Sequence, residues 1–503
     1  MIDAATFSAE RDDLPALRNA LSHFAALGYS ESGICNRLGL ANIDDLQWQA
    51  LPIFRDERLA QRDALASAID LFFLQGSIPL DECDRLFCAA DRQALVRAGL
   101  LWTHEDGLVG ARASLYPVGD SLIFSDHAWP MLPNPGWTSA PSDHVMFVGR
   151  DSRWLARATV RRPFGATLDL CTGSGVQALL AARHSERVVA VDINARAVRC
   201  ATLNAQASGA ANVQAVGGDL YEPVADQCFD LITANPPFVP SPVNSLRFRD
   251  GGPSGDDLQR RIISGFPRHL APGGIAQMVT EFGESDEQPF TERLREWLGG
   301  APMDIYIVRL REHSAASYAI GHADGNDTFG TFLESVRQWA GNLRGQGYSR
   351  IVSVLLAFQW SDPAAGAPWT RSEEAQPPHG NAGGEIEAAF RRERLLRNAG
   401  FRDQLQQGWL RRAGPIGLLE ARVLGGDIPA STQARLMGKA LPISHTLGPV
   451  ERDLLALVAK PIPFQELVAN ARAQGFDQEA VFAASTSLLE WGLLLLSQGV
   501  EAR

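Results

Sequence analysis

Between residues 166 and 238 the chain alternates short apolar runs with helical stretches, and this alternation restricts the folds that are open to it. Alternating strands and helices of this length predict an α/β fold built on a doubly wound parallel sheet. Ligands of such sheets bind beyond the carboxyl ends of the strands. The predicted strands are 166–170, 187–191, 213–216 and 229–234, and the predicted helices are 177–183 and 195–208.

The first predicted strand runs into a glycine turn at Gly173 and Gly175. Glycines permit positive φ and close approach of a ligand to the backbone, and the following helix begins with partial positive charge. The second strand ends in Asp192, and an acidic residue about 20 positions beyond a glycine turn suits two ribose hydroxyls. A dinucleotide site would need a third glycine where this chain has Ala178, so the turn alone leaves NAD open.

The fourth predicted strand leads into Asn235-Pro236-Pro237-Phe238. Two consecutive prolines stiffen the backbone and keep the preceding residue out of the helical region. The side-chain oxygen of Asn235 and the carbonyl of Pro236 are two acceptors that match the two N–H donors of a planar NH₂ group, and Phe238 offers a face for stacking. By itself the tetrapeptide is also compatible with an ordinary strand-end turn. In its context it favours the transfer of a group to nitrogen and argues against NAD.

Four motifs in this order resemble the class I S-adenosylmethionine-dependent methyltransferases: DLCTGSG at 169–175, VDIN at 191–194, GGDLYEPV at 217–224 and NPPF at 235–238. Among these, the chain is most similar to the release-factor glutamine N-methyltransferase type, which shares the DGG loop at 250–252 and the L-x-PGG segment at 270–274. The resemblance covers residues 140–360 only. It departs at Phe238, where the glutamine enzymes usually carry Tyr, and in the insert after residue 310.

The resemblance implies a fold, a cofactor and roles for individual residues. The fold would be a Rossmann-like methyltransferase sheet, the cofactor S-adenosyl-L-methionine, and no metal would be needed. Asp192 would bind the ribose, Asp219 the adenine amino group, and Asn235 to Phe238 the acceptor nitrogen as the catalytic residues. The implied cofactor-binding residues are Asp169, Cys171, Thr172, Gly173, Gly175, Asp192, Ile193, Asp219, Leu220 and Asn235.

Outside this region the patterns are mainly helical. Near residue 100, a helix ends in Gly-Leu-Leu before a short hairpin, and a similar helix end occurs near residue 492. These patterns predict winged-helix-like units at both ends of the chain. The Pro- and Gly-rich segment 361–385 has no periodicity and is predicted as a flexible linker. The predicted domains are therefore 1–135, 140–360 and 386–503, with the linker before the last.

Composition bears on compartment and partners. The chain has 503 residues, a net charge of −12 and six cysteines without CxxC pairs. Together with an N-terminus that lacks a signal-peptide pattern and the absence of an apolar run long enough to span a bilayer, this predicts a cytoplasmic protein. Strong nucleic-acid binders usually carry a basic excess. The one basic cluster, residues 390–412, is interpreted as a solvated helical face, with an anionic partner as the alternative.

These observations predict an N-methyltransferase that acts on a planar amide or amine of a protein, peptide or small metabolite. The alternatives are a methyltransferase for nucleic-acid bases, with the tetrapeptide holding a flipped base, and a non-catalytic regulator that binds the cofactor. No catalytic histidine is required. His313 is a low-ranking candidate for the substrate pocket, and His144 and His184 are equally compatible with a surface position and a catalytic role. The oligomeric state is not predicted.

Overall fold

The computed structural model describes residues 5–128, 142–243, 246–323, 328–421 and 431–499. The chain divides into two compact units, each described here by itself. Unit 1 comprises Met1–Ala156, Arg161–Gly300 and His313–Ser353, and unit 2 comprises Arg157–Val160, Ala301–Glu312 and Val354–Arg503. The predicted boundaries of the flanking domains remain a prediction.

The first part of unit 1 is mainly helical, with short antiparallel strands. Its helices are α1 (Leu14–Ala26), α2 (Glu31–Leu38), α3 (Leu51–Ile53), α4 (Ala64–Ala68), α5 (Leu80–Leu86) and α6 (Ala89–Arg97). Its strands are β1 (Ser77–Pro79), β2 (Leu101–Thr103), β3 (Leu108–Ala111), β4 (Ser114–Val118) and β5 (Ser121–Ser125). The order β1-β3-β2 forms one sheet and β4-β5 a hairpin. This arrangement does not establish a winged-helix domain, which stays a prediction.

A parallel sheet forms the second part of unit 1. Its strands are β6 (Phe164–Leu170), β7 (Ser185–Asp192), β8 (Val213–Gly217), β9 (Phe229–Ala234) and β10 (Leu270–Glu284). They pair in parallel in the order β10-β9-β6-β7-β8. The helices of this part are α7 (Arg150–Ala158), α8 (Val176–Ala181), α9 (Ala195–Ser208), α10 (Asp256–His269) and α11 (Phe290–Trp297). The Rossmann-like parallel sheet is therefore confirmed, with its topological switch between β6 and β9.

Both parts of unit 1 share one apolar core. The ring centroids of Phe24 and Phe72 are 5.3 Å apart, and those of Phe72 and Phe124 are 6.2 Å apart. The same cluster of buried residues includes Leu179 of α8 and Leu203 of α9. The N-terminal elements therefore pack on the helices that cover the parallel sheet. This packing is favourable because it removes apolar side chains of both parts from water.

The remaining elements follow α11 along the chain. In chain order, the strands are β11 (Met303–Ser314), β12 (Arg350–Trp360), β13 (Thr370–Glu374), β14 (Trp409–Arg412), β15 (Ile416–Ala421), β16 (Ser431–Leu436), β17 (Ser444–Leu447), β18 (Ile462–Pro463) and β19 (Leu494–Ser497). The helices are α12 (Ala315–His322) and α13 (Phe329–Gly345) in unit 1, and α14 (Gly383–Arg397), α15 (Phe401–Gln407), α16 (Pro449–Leu457), α17 (Phe464–Arg472) and α18 (Gln478–Glu490) in unit 2. In unit 2, β18-β14-β19 and β15-β16-β17 form antiparallel sheets.

The prediction of a flexible linker at 361–385 is wrong at residues 370–374. Strand β13 lies there and pairs in parallel with Ile305–Arg309 of β11. Glu373 is buried, and its carboxylate accepts hydrogen bonds from Tyr306 and Arg371. Because the strand is polar and its partner lies far away in the sequence, apolar periodicity gives no sign of it.

Candidate functional site

The register of the parallel sheet brings three predicted motifs to one edge. Leu170 of β6 lies opposite Val191 of β7 on one side and Ala234 of β9 on the other. Parallel strands end at the same edge of a sheet, so the loops that follow these three residues leave the sheet side by side. The glycine turn, Asp192 and Asn235 are thereby neighbours although the sequence separates them widely.

Two loops at this edge contain an uncommon backbone conformation. Cys171 and Leu220 have φ values of 55° and 53°, a region that residues other than glycine rarely adopt. Such strained positions are concentrated at functional sites. Gly175 also has positive φ, and a Cβ there would lie 3.0 Å from Cβ of Ala201 on α9. Glycine at position 175 therefore serves the close packing of α8 against α9.

Asp169 ties the glycine loop to two strands. Its Oδ2 accepts hydrogen bonds from Thr172 Oγ1 at 2.5 Å and from the Ala178 amide at 3.2 Å. Its Oδ1 accepts one from Thr233 Oγ1 of β9 at 2.8 Å. Burial raises the pKa of Asp169 to about 6. The carboxyl group thus has a structural task at the base of the loop, and its predicted contact with the methionine moiety stays a prediction.

Asp192 lies at the end of β7 beside the glycine turn. Its Oδ2 accepts a hydrogen bond from the Gly173 amide and its Oδ1 one from the Asn194 amide, both at 2.9 Å. Burial raises the pKa of this carboxyl group. A Cβ on Gly173 would meet no atom within 4 Å, so the turn faces open space. An acidic group that is held by backbone amides next to an open glycine turn fits a ribose.

Asp219 at the end of β8 is already engaged within the protein. Its Oδ2 accepts a hydrogen bond from Arg261 of α10 at 2.8 Å, and its side chain is one-third exposed. An adenine amino group, the predicted partner of Asp219, would share this carboxylate with Arg261. The sequence motif gives no sign of this arginine.

The tetrapeptide after β9 is held from both ends. The Asn235 side-chain amide donates a hydrogen bond to Ser152 Oγ of α7 at 3.1 Å. Phe238 is only 8% exposed and belongs to an apolar cluster that contains Tyr318 and Trp339. Phe238 therefore has less free surface for stacking on an acceptor than the sequence predicted.

A cavity of about 450 Å³ lies at this edge of the sheet. Every predicted cofactor residue except Gly175 lines it. Further lining residues that the sequence did not indicate include Ser152, Gln177 and His144. His144 does not lie on the surface: it is 2% exposed, and its Nδ1 lies 3.4 Å from Oδ2 of Asp126. The burial of His144 lowers its pKa. A lone histidine outside any motif carried no signal for this position.

A second cavity of about 730 Å³ adjoins the first, since Met146, Pro237 and Phe248 line both. Pro236 and Phe238 line the second cavity as well. Its remaining wall is formed by residues that precede the four motifs in the sequence and by residues that follow them. They include Ile43, Phe73, Tyr116, Glu281, His313, Tyr318 and His322. Of these, only His313 was a sequence candidate.

Within the described parts of the chain, no group of three or more His, Cys, Asp or Glu side chains is arranged to hold a metal ion. In the same parts of the chain, no helix is long and apolar enough to cross a membrane.

Comparison with known proteins identifies the region around the first cavity. The profile of the family Methyltransferase small domain matches residues 148–300. The ribosomal protein uL3 glutamine methyltransferase of Bradyrhizobium diazoefficiens is 38% identical over 146 residues, which cover 26% of this chain and 46% of that protein. The release factor glutamine methyltransferase of Geobacter sulfurreducens is 32% identical over 157 residues, which cover 28% and 55%. The ribosomal RNA small subunit methyltransferase C of Alcanivorax borkumensis is 31% identical over 151 residues, which cover 30% and 42%.

Residues 148–300 therefore form a class I methyltransferase domain, whose methyl donor is S-adenosylmethionine. The resemblance drawn from the four motifs is confirmed. The chain spans about half the length of the curated relatives it matches. The cavity suits the cofactor, because it combines an open glycine turn with the half-buried Asp192 carboxylate, an acceptor for hydroxyl groups.

Proposed function

We propose that this chain methylates a side-chain amide nitrogen of a protein or peptide, with glutamine as the residue type. The observation that carries the proposal is the wall common to the two cavities. Pro237 lines both cavities, Asn235 lines the first, and Pro236 and Phe238 line the second. A methyl donor in the first cavity and an amide in the second would meet at this tetrapeptide. Glutamine is the residue named in two of the relatives.

The chain's own residues would act mainly by alignment. S-adenosylmethionine supplies a methyl group that is intrinsically electrophilic. An amide nitrogen is a poor nucleophile, because its lone pair is delocalised into the carbonyl. Acceptance of its two N–H groups by Asn235 Oδ1 and the Pro236 carbonyl would favour the electron-rich nitrogen of the transition state and fix its direction of attack. Neither acceptor needs to act as a base, since the proton can leave after the transfer.

The size of the second cavity supports an acceptor larger than a bare amide. A volume of about 730 Å³ lies in the range of sites that enclose drug-sized ligands. His313, Tyr318 and Glu281 would contact the part of the peptide next to the methylated side chain. A small metabolite with a planar amide is the alternative within the same chemistry.

A nucleic-acid base is the second candidate acceptor, and the similarity to a ribosomal RNA methyltransferase favours it. Two observations weigh against it. The net charge is −12, and most arginines of the 390–412 cluster are engaged within unit 2. Salt bridges or hydrogen bonds join Arg391 to Glu387, Arg392 to the Glu490 carbonyl, Arg394 to Gln359, Arg397 to Glu393, Arg402 to Glu479 and Arg412 to the Leu455 carbonyl. A carboxylate beside an arginine offsets part of its positive charge, which weakens the attraction of that arginine for a phosphate.

The test is to incubate the protein with labelled S-adenosylmethionine and fractionated lysate, with nuclease, with protease and with neither. We expect incorporation that resists nuclease and disappears with protease, and mass spectrometry should locate the methyl group on a glutamine side chain. The variant Asn235→Ala is the control for incorporation by contaminating enzymes. Nuclease-sensitive label, or tight RNA binding that weakens steeply with salt, would replace the amide acceptor with a base.

A further inference from the structure

Ser152 contacts the tetrapeptide from a helix that carries none of the four motifs. It is the third residue of α7 and is 5% exposed. Its hydroxyl oxygen accepts the hydrogen bond from the Asn235 amide nitrogen at 3.1 Å. An asparagine amide has a donor end and an acceptor end, and only the acceptor end can bind an N–H group of the methyl acceptor. The partner of the donor end therefore decides whether Asn235 presents its oxygen.

The backbone of Ser152 is held independently of its hydroxyl. Its carbonyl accepts a hydrogen bond from Nε2 of Gln177 at 2.8 Å. Gln177 is 5% exposed and is the second residue of α8, the helix that follows the glycine turn. Loss of the hydroxyl alone should thus leave α7 in its place. Ser152 also connects the helix behind the cofactor loop with the residue that would hold the acceptor.

We infer that Ser152 is a positioning residue for methyl transfer: its hydroxyl accepts the Asn235 N–H, and the Asn235 oxygen is thereby directed at the acceptor nitrogen. This inference rests on the proposed function, in which Asn235 binds that nitrogen. Without the hydroxyl, the Asn235 nitrogen would lose its partner and the amide would rotate among orientations, most of which do not bind the acceptor. Misplacement of a positioned group slows catalysis, because the reacting atoms are no longer aligned.

The experiment compares Ser152→Ala with Ser152→Thr, which keeps a hydroxyl. Ser185→Ala is the matched control, because Ser185 is a buried serine at the amino end of β7 whose hydroxyl is hydrogen-bonded to that of Thr167 at 2.7 Å. We expect Ser152→Ala to lower kcat about tenfold, the effect of one neutral hydrogen bond. The affinity of Ser152→Ala for S-adenosylhomocysteine should stay within about twofold of the wild-type value. Ser152→Thr should retain most of the wild-type kcat. Ser185→Ala should have the kcat of the wild type.

A double variant separates positioning from a general structural effect. In the Asn235→Ala background, Ser152→Ala should cause no further loss of rate, because its partner is already absent. A full tenfold loss in that background, an unchanged kcat in the single variant, or an equal loss of cofactor affinity would overturn the inference.

The inference and the proposed function can fail separately. If the acceptor is a nucleobase or metabolite amine, the same variants are assayed with that acceptor. If the wild type methylates nothing, crystal structures of the wild type and Ser152→Ala with S-adenosylhomocysteine decide the matter. A displaced or disordered Asn235 amide in the variant alone supports the inference, and an unchanged amide overturns it.

Discussion

The two adjoining cavities of unit 1 are built in different ways. The first is lined mostly by loops at neighbouring strand ends, from Asp169 to Asn235, and each loop carries a short motif. The second takes its walls from residues as distant as Ile43 and His322, with the tetrapeptide as the only motif among them. A cofactor common to many enzymes can be held by local, recurring loops, whereas an acceptor particular to one enzyme is held by side chains that packing brings together. Substitutions at residues of each cavity test whether the first cavity serves the cofactor and the second the methyl acceptor.

The largest expected effect is at the tetrapeptide, where the cavities meet. Asn235→Ala should lower turnover by at least ~10²-fold, because a transition-state acceptor is lost. The affinity for S-adenosylhomocysteine, measured by calorimetry, should remain nearly unchanged. Asn235 also lines the first cavity, so an equal loss of turnover and affinity would show that it serves the cofactor and would contradict its proposed role at the methyl acceptor.

Asp169 should show the cost of burying a carboxyl group beneath the cofactor loop. Its pKa is about 6 in the folded protein and near its usual value of roughly 4 in the unfolded chain. The protonated form is therefore favoured by folding, and stability from this group is present at low pH and lost as pH rises through 6. The unfolding free energy of the wild type minus that of Asp169→Asn should fall by up to about 3 kcal/mol between about pH 4 and pH 7. A difference that rises with pH would contradict the burial effect.

Asp192 tests the first cavity alone. Asp192→Ala should weaken S-adenosylhomocysteine binding by roughly 1.5–3 kcal/mol, the range for a lost charged acceptor. Asp226→Ala is the matched control, since the Asp226 side chain is 95% exposed. Calorimetry measures both. Unchanged affinity in the Asp192 variant, or a preference for NAD over S-adenosylhomocysteine, would remove Asp192 from the ribose site.

His313 tests the second cavity alone, with a smaller expected effect. His313→Ala should raise KM for the methyl acceptor about threefold to tenfold, because one wall contact is lost while the tetrapeptide stays in place. Cofactor affinity should not change. His23→Ala, on the exposed side of α1, is the control. A weaker affinity for S-adenosylhomocysteine in the His313 variant would show that the wall between the cavities does not separate their functions.

Sequence patterns predicted the parallel sheet closely because its elements are regular and apolar. Helix α9 begins and ends at the predicted residues 195 and 208, and β8 was predicted to within one residue. The polar strand β13 was missed because its stability comes from pairing with β11 and from the charge partners of Glu373. Neither strand pairing nor ion pairing produces a periodic apolar pattern in the five residues of β13.

The sequence by itself predicted the strands of the sheet and the tetrapeptide, and the resemblance of its four motifs implied the cofactor, because each strand and each motif consists of residues that are close together in the chain. Tertiary structure decided what surrounds them. It gave Asp219 and Asn235 their hydrogen-bond partners, Arg261 and Ser152. It also packed Phe238 into an apolar cluster and buried His144. The physical reason is that backbone geometry at a strand end is set by local residue types, whereas a hydrogen-bond partner or a cavity wall depends on which distant segments pack there.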